Sequence, residues 1–395
     1  MLLKDCSFII TQDDKRRILK DYSIRIEGNH IVEIAKGIKG KGIDCRGKIV
    51  MPGLINTHAH LGMHSLRGIC DDETLFNWLD IVNREEEKLS MNQILRNTEE
   101  GIIECIRNGT TCVYDSYKFA PERIKVFERL GMRGFVSSTV TKPHHLAHVD
   151  RLIHDTKKSQ LVKPIVAAHS PYRCSKEILE SIRDISREHN LMRRIHIAET
   201  EKEVRDTKKE TGMTSIRYLD KIGFLGKRTI LVHSTFVDDY EIGLIAKNRS
   251  SVSHNPISNM KLGSGGVAPV VKMLGRGITV GLGTDSVVSN NDLDMFEELK
   301  ITCLLHKHHN KDPKCMTYQT AMDMATLHGA KCLGLSDIGQ IKKGMKADLI
   351  TVNMEGLGPW NSVVSNLVYC ANGNCVRDSI IDGRLVMQDR VLQKI

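Results

Sequence analysis

The chain has 395 residues, 41% of them hydrophobic and 27% charged, which is enough for one large α/β domain and a small satellite. Its net charge of +9 is spread through mixed-sign clusters such as Arg84-Glu85-Glu86-Glu87-Lys88 and Lys202-Glu203-Val204-Arg205-Asp206, so the concentrated basic stripe of a nucleic-acid binder is absent and a mildly positive field suited to an anionic or carboxylate-bearing substrate remains. No apolar run approaches the roughly 18 residues of a spanning helix, Met1-Leu2-Leu3-Lys4-Asp5-Cys6 meets charge too early for a signal peptide, and 11 scattered cysteines without a CxxC pair fit reduced thiols, so a cytoplasmic protein without membrane or nucleic-acid partners is expected.

Residues 2 to 50 alternate in short runs (Ser7-Phe8-Ile9-Ile10, Tyr22-Ser23-Ile24-Arg25-Ile26, Ile31-Val32-Glu33-Ile34) joined by turn signals such as Glu27-Gly28-Asn29-His30. Eight apolar or β-branched runs follow: Ile49 to His60, Thr110 to Ser116, Gly134 to Val140, Pro164 to His169, Arg194 to Glu199, Thr229 to Ser234, Ser251 to His254, and Thr279 to Asp285. Between them lie helical patterns over Asn92 to Asn108, Pro121 to Leu130, Lys176 to His189, Thr214 to Ile222 and Val267 to Leu274, with Gly109, Gly131 and Gly223 just past three of their ends. Eight alternating βα units predict an α/β fold with a (β/α)₈ TIM-like barrel over residues 53–339. Strand-like patterns return in Ala347 to Val352 and Val376 to Arg384, after a crossing segment Gly339-Gln340-Ile341-Lys342-Lys343-Gly344. Residues 1–52 and 340–395 are therefore expected to build one small β-sandwich from both termini.

The functional signal is where polar residues fall. The apolar run Gly53-Leu54-Ile55-Asn56-Thr57-His58-Ala59-His60 delivers two imidazoles from one face of a strand, because side chains two apart point the same way, and two imidazoles at a strand end suit a divalent metal. Six of the seven further runs also carry a polar group at or near their end: Asp115, His169, His196 with Glu199, His233, His254 and Asp285. A histidine at any one strand end can be a satisfied core or loop residue. The set of them, at the end of the barrel where active sites lie, points to a metal-binding active site. Lys307-His308-His309-Asn310-Lys311 has a metal-binding composition, but its place after the last run predicts a solvated turn.

With these residues in view, the chain resembles the amidohydrolase superfamily, in particular its branch of aminohydrolases that includes the S-adenosylhomocysteine/5′-methylthioadenosine/5′-deoxyadenosine deaminases, with chlorotriazine hydrolases and guanine deaminases as relatives. The resemblance spans nearly the whole chain. It rests on Met51-Pro52-Gly53 through His60, Leu66-Arg67-Gly68 with Asp71-Asp72 and Trp78-Leu79, His169-Ser170-Pro171-Tyr172, and His196-Ile197-Ala198-Glu199-Thr200. It rests equally on Ser253-His254-Asn255-Pro256 with Ser258-Asn259, Lys261-Leu262-Gly263, and Gly283-Thr284-Asp285-Ser286 with Ser289-Asn290-Asn291.

The resemblance implies that His58, His60, His196 and Asp285 hold one divalent metal per chain, zinc ahead of Fe²⁺, Ni²⁺ or Mn²⁺. It also implies that His233 sits beside the attacking water and that Glu199 faces the substrate. The chemistry agrees: an open zinc site brings the pKa of its water to about 7, Asp285 can take the water's proton, and Glu199 can protonate a ring nitrogen and then the departing amine. Binuclear relatives carry a carboxylated lysine at the end of the fourth strand. This chain has Ala167-Ala168-His169 there, with Lys163 at the strand's start, so one metal is expected and His169 lines the substrate pocket or supports its rim.

The adenosine-type relatives bind ribose hydroxyls through a glutamate shortly after the Trp-Leu pair. Counting back from Lys88-Leu89 selects Glu86, and counting from Trp78 selects Glu87; Glu86 is preferred, with a solvated charge run as the alternative. In the loop after the third strand, Lys142 to Arg151, Arg151 is a candidate contact to the 5′ side of a nucleoside. The expected reaction is hydrolytic deamination of an adenine nucleoside to its inosine form. Deamination or dehalogenation of another heterocycle (guanine, pterin, triazine) and a non-catalytic scaffold are the alternatives, and a homo-oligomer, dimer or tetramer, is the default assembly in this family.

Overall fold

In the computed structural model, which describes residues 1–394, the first apolar run is two strands rather than one. Lys48–Pro52 joins a sheet built by the chain ends, and Leu54–Ala59 opens the parallel strands that follow. Gly53 makes the break possible, since a Cβ there would collide with the Thr111 side chain.

The other runs form Thr110–Ser116, Arg133–Ser137 with Thr139–Val140, Val162–Pro164 with Val166–Ala168, Arg193–Ile197, Thr229–His233, Ser251–His254 and Val280–Leu282. Neighbours pair in parallel throughout. The third and fourth runs are each interrupted, at Ser138 and at Ile165; their first halves pair with each other in one sheet and their second halves in another. One parallel sheet therefore has four strands and the other six. The last strand returns to the first through a bridge between Ala59 and Asp285, where the Asp285 N–H donates to the His58 carbonyl at 2.9 Å. That approach needs glycine: a Cβ on Gly281 would lie 2.6 Å from Thr57 Cγ2, and one on Gly283 would lie 2.9 Å from the His58 backbone N.

The predicted helices are present within a few residues of their expected bounds, as Met91–Arg107, Ala120–Arg129, Lys176–Glu188, Ser215–Lys221 and Val270–Gly275. Ser90 and Gln93 form a reciprocal capping box at the start of the first, and Gly109, Gly131 and Gly223 leave three of them with φ of +83°, +64° and +68°, a conformation that costs glycine little. The Lys307-to-Lys311 tract is not a turn between helices. It is the last turn and C-cap of Met295–Asn310, where basic side chains meet the negative end of the helix dipole.

Both termini share one nine-stranded mixed sheet. Lys48–Pro52 is its seam, pairing in parallel with Leu2–Ile10 and antiparallel with Leu349–Asn353, so amino- and carboxyl-terminal strands run into a single ladder. Asp382 and Gly383, at φ of +50° and +75°, turn Val376–Ile381 back into Arg384–Gln388. The segment Gly339 to Gly344 docks on the amino-terminal strands, with Ile341 N–H on the Thr11 carbonyl at 2.7 Å and Gly344 N–H on that of Ile31 at 2.8 Å. Buried Arg133, on a parallel strand, ties the two parts together: its Nε donates to Asp348 at 2.6 Å and its Nη2 to Asp382 at 2.7 Å. Among the described residues, no helix is long and apolar enough to cross a membrane.

Candidate active site

The carboxyl ends of the parallel strands converge on a cluster of imidazoles and one carboxylate. The ligand atoms of His58, His60 and Asp285 all lie within 4.8 Å of one another, as do those of His58, His196 and His233. Asp285 Oδ1 is 3.3 Å from both His58 Nε2 and His60 Nε2. Its Oδ2 accepts from Ser258 Oγ at 2.8 Å. Burial alone would raise the Asp285 pKa, but the His58 and His60 imidazoles hold it well below the usual carboxylate range. His58 and His196 are pushed well below their ordinary values, first by burial and then by the charge of Arg194.

The donors suit a single divalent ion. His60 Nδ1 lies 2.6 Å from the Ser116 carbonyl and His196 Nδ1 lies 2.9 Å from that of His169, so each ring gives its N–H to a carbonyl and keeps its lone pair on Nε2, the atom that would ligate. His58 is fully buried beneath them, and Asn56 locks its strand by bonding the His58 N–H (3.2 Å) and Thr284 Oγ1 (2.7 Å). A binuclear bridge from the fourth strand has no side chain to form it: Ala167 and Ala168 end that strand and Lys163 is exposed.

Several backbones at these strand ends are bent into the left-handed region. Ala198, His233 and Asp285 have φ of +49°, +71° and +63°, conformations that an L-residue adopts only when its surroundings impose them. For Ala198 the imposing group is Glu203, whose buried carboxylate accepts from the Ala198 N–H at 2.9 Å and the Glu199 N–H at 2.8 Å. Glu203 was not singled out as a site residue. Its clue is positional, a glutamate three residues into the helix that Thr200 caps.

Glu199 itself faces the cluster, with Oε2 3.7 Å from His233 Nε2. Burial, then the neighbouring Asp285 charge, pushes its pKa up to about 8, so the carboxyl holds a proton at neutrality. His233 Nδ1 lies 3.1 Å from Asn259 Nδ2; with that amide donating, the ring proton is on Nε2, which also lies 3.9 Å from Asp285 Oδ2. A proton on Nε2 suits a group that hydrogen-bonds a reactant rather than one that ligates a metal.

Above the cluster opens a cavity of about 730 Å³ lined by His60, His169, His196, Glu199 and Asp285 at its floor. Trp78, Glu86 and Glu87, from helix Leu75–Glu87, line its wall together with Lys118, His145, His148 and Arg173. Trp78 Nε1 is buried without a hydrogen-bond partner among the described residues. His169 Nδ1 is 2.9 Å from Ser170 Oγ, and its ring edges His196 at 5.2 Å between centroids. Arg151 does not line the cavity. It lies on helix Leu146–Thr156, half exposed, bound to Glu122 at 2.7 Å and near Asp155 at 3.4 Å. A helix begins at Leu146 where a loop was expected, and it turns that side chain away while His145 and His148 line the cavity.

Two strand-end groups prove structural. Asp115 is fully buried, accepts from the Leu61 N–H at 2.9 Å and pairs with Arg123, which anchors the segment after the first strand. His254 Nε2 meets buried His306 Nε2 at 3.1 Å, away from the cavity. Motif fragments that are far apart in sequence also meet: Lys261 Nζ donates to Asp71 at 2.5 Å and to Asn291, closing the rim.

A fold of parallel strands with a His/Asp cluster at their carboxyl ends defines a class of metal-dependent hydrolase scaffolds, and sequence comparison narrows it. The profile of the amidohydrolase family matches residues 49–386. A 5′-deoxyadenosine deaminase of Methanosphaera stadtmanae is 38% identical over all of this chain and 95% of its own. A 5-methylthioadenosine/S-adenosylhomocysteine deaminase of Thermococcus onnurineus is 38% identical over 93% of this chain and 90% of its own. The crystal structure of an adenosine deaminase from Xanthomonas campestris with bound zinc superposes with a TM-score of 0.96 at 30% identity, covering 100% of this chain and 94% of that one. A zinc complex of atrazine chlorohydrolase from Arthrobacter aurescens, 23% identical with a TM-score of 0.92 over 99% of this chain and 96% of that one, shares the fold. The chain belongs to the amidohydrolase family.

Proposed function

We propose that this protein is a mononuclear metal-dependent aminohydrolase that converts an adenine nucleoside (5′-deoxyadenosine, 5′-methylthioadenosine, S-adenosylhomocysteine or adenosine) and water to the inosine form and ammonia. The observation that carries the reading is Glu199 facing the His58, His60, His196 and Asp285 cluster on the floor of a nucleoside-sized cavity, where burial raises its pKa to about 8. The names of the 38%-identical relatives support the substrate class. In the same reading the two parallel sheets are one (β/α)₈ barrel over residues 53–339, and residues 1–52 with 340–395 make the small β-domain beside it.

His58, His60, His196 and Asp285 would hold the ion, with zinc preferred. When bound, it would supply the acidity that makes hydroxide available near neutral pH. Asp285, through Oδ2 beside Ser258, receives the proton lost by water. Glu199 gives its proton to a ring nitrogen, so that the carbon bearing the amine becomes electrophilic, and afterwards relays a proton to the departing amine, which leaves as ammonia. His233, with its proton on Nε2, steadies charge that develops on the attacking oxygen. Glu203 fixes Glu199 by holding two backbone N–H groups. Trp78 and either Glu86 or Glu87 receive the sugar, the carboxylates accepting from ribose hydroxyls and the free indole N–H donating, while His169 borders the base.

The test is ammonia release by zinc-reconstituted protein against the four adenine nucleosides, guanine and a chlorotriazine, with the metal content of the same sample. Turnover confined to the nucleosides supports the reading. Turnover of guanine or the triazine alone replaces the substrate class, and a metal-free protein that still turns over nucleosides removes the metal from it.

A further inference from the structure

The interior of the site contains one group that neither the proton relay nor the donor set uses. Arg194 and His196 lie two apart on strand Arg193–Ile197 and so point to the same side. The Arg194 side chain is fully buried. Its Nη2 lies 2.7 Å from His196 Nε2 and 3.3 and 3.5 Å from the two ring nitrogens of His58, its Nη1 lies 3.1 Å from His196 Nδ1 and 3.4 Å from the Ala168 carbonyl, and its Nε has no hydrogen-bond partner among the described residues. The guanidinium carbon sits 5.8 Å from the centroid of the Tyr114 ring. Its neighbours are thus two imidazoles, a carbonyl and an aromatic face, an unusual set for a buried cation, which ordinarily takes a carboxylate.

We propose that Arg194 is a resident cation of the metal site, which holds the imidazoles together when the ion is away and weakens their grip on it when it arrives. The inference rests on reading His58, His60, His196 and Asp285 as the donors. His196 Nδ1 gives its proton to the His169 carbonyl, which leaves the lone pair on Nε2, and the guanidinium lies against both ring nitrogens, with Nη1 3.1 Å from Nδ1 and Nη2 2.7 Å from Nε2. A metal ion held at Nε2 would therefore stand beside the guanidinium. The two positive charges would be neighbours in a water-poor interior, where their repulsion is poorly screened. The guanidinium cannot escape by losing its proton, because arginine stays charged at any accessible pH. The site therefore binds zinc less tightly than the same donors would beside a neutral residue, and it exchanges its metal more readily.

The experiment is competition for Zn²⁺ between the purified, metal-stripped protein and a chromophoric chelator, in the native chain and in Arg194→Gln, Arg194→Met and Arg194→Lys, with His196→Ala as control. The two neutral variants are expected to bind zinc at least tenfold more tightly, about 1.4 kcal/mol, whereas Arg194→Lys stays near the native value because it keeps the charge. Their metal-free forms are expected to melt below the metal-free native protein. Equal or weaker zinc binding by the folded neutral variants overturns the proposal while leaving the donor reading intact. Zinc binding that is absent from the native chain, or indifferent to His196→Ala, overturns both. Should the neutral variants fail to fold, the native chain decides alone: the Arg194 side-chain N–H resonances, assigned by their loss in Arg194→Lys, must shift on addition of zinc, and unmoved resonances reject the idea.

Discussion

Glu199 follows His196 by three residues and leaves its strand through Ala198 at φ +49°, so a single bend decides that one side chain joins the imidazole cluster and the other faces the cavity. Its pKa of about 8 has a direction of use: the carboxyl is protonated, and able to act as an acid, below that value and loses this ability above it. Turnover is accordingly expected to fall as pH rises through about 8, and a pH profile of kcat/KM checks it. Glu199→Gln should keep its metal, lose about 10²-fold or more in kcat and lose that alkaline limb, since general acid–base catalysis contributes at least that much. A near-native rate would place the acid elsewhere. At the cavity wall, if the proposed ribose contact is made by Glu86 or Glu87, replacing that residue by Gln should raise KM for nucleosides by about tenfold, as loss of a charge-assisted hydrogen bond of about 1.5 kcal/mol implies. Unchanged kinetics in both variants would remove the sugar from that wall.

At the scale of elements, the helix and strand periods carry the alternation well, and the boundaries fail where contact with another segment intervenes. The run from Ile49 to His60 is one continuous apolar stretch in sequence, yet Thr111 forces a glycine break at Gly53 and the two halves serve different sheets. Arg151 was placed by its loop, but the chain becomes helical from Leu146 and a helical face turns it toward Glu122. The closest approach of first and last strands depends on Gly283, where an added Cβ would meet His58 backbone atoms that cannot move aside. Gly283→Ala should push Asp285 away from His58 and His60, lower metal occupancy, and destabilise the fold by about 1–3 kcal/mol, the usual effect of overpacking. Metal analysis and denaturant unfolding of the same variant test both parts; full occupancy would show that the strands can separate without cost to the site.

At the scale of the molecule, the terminal sheet and the parallel strands are joined by the buried Arg133, Asp348 and Asp382 cluster. Arg133→Ala leaves Asp348 buried and unpaired and should lower stability by about 3–5 kcal/mol, read as a shift of the urea midpoint. A shift below about 1 kcal/mol would mean that water replaces the guanidinium. The sequence by itself determined the alternation of strands and helices and the strand-end positions of His58, His60, His196, Glu199, His233 and Asp285, because side-chain period and local turn chemistry depend on near neighbours alone. Only the tertiary structure decided that Asp115 and His254 pair with buried partners away from the cavity, that Glu203 holds the Glu199 turn, that Lys48–Pro52 is the seam of the terminal sheet, and that Arg194 lies among the imidazoles. Those are questions of which atoms meet across long chain separations, and packing, burial and hydrogen-bond competition answer them once the strands are side by side.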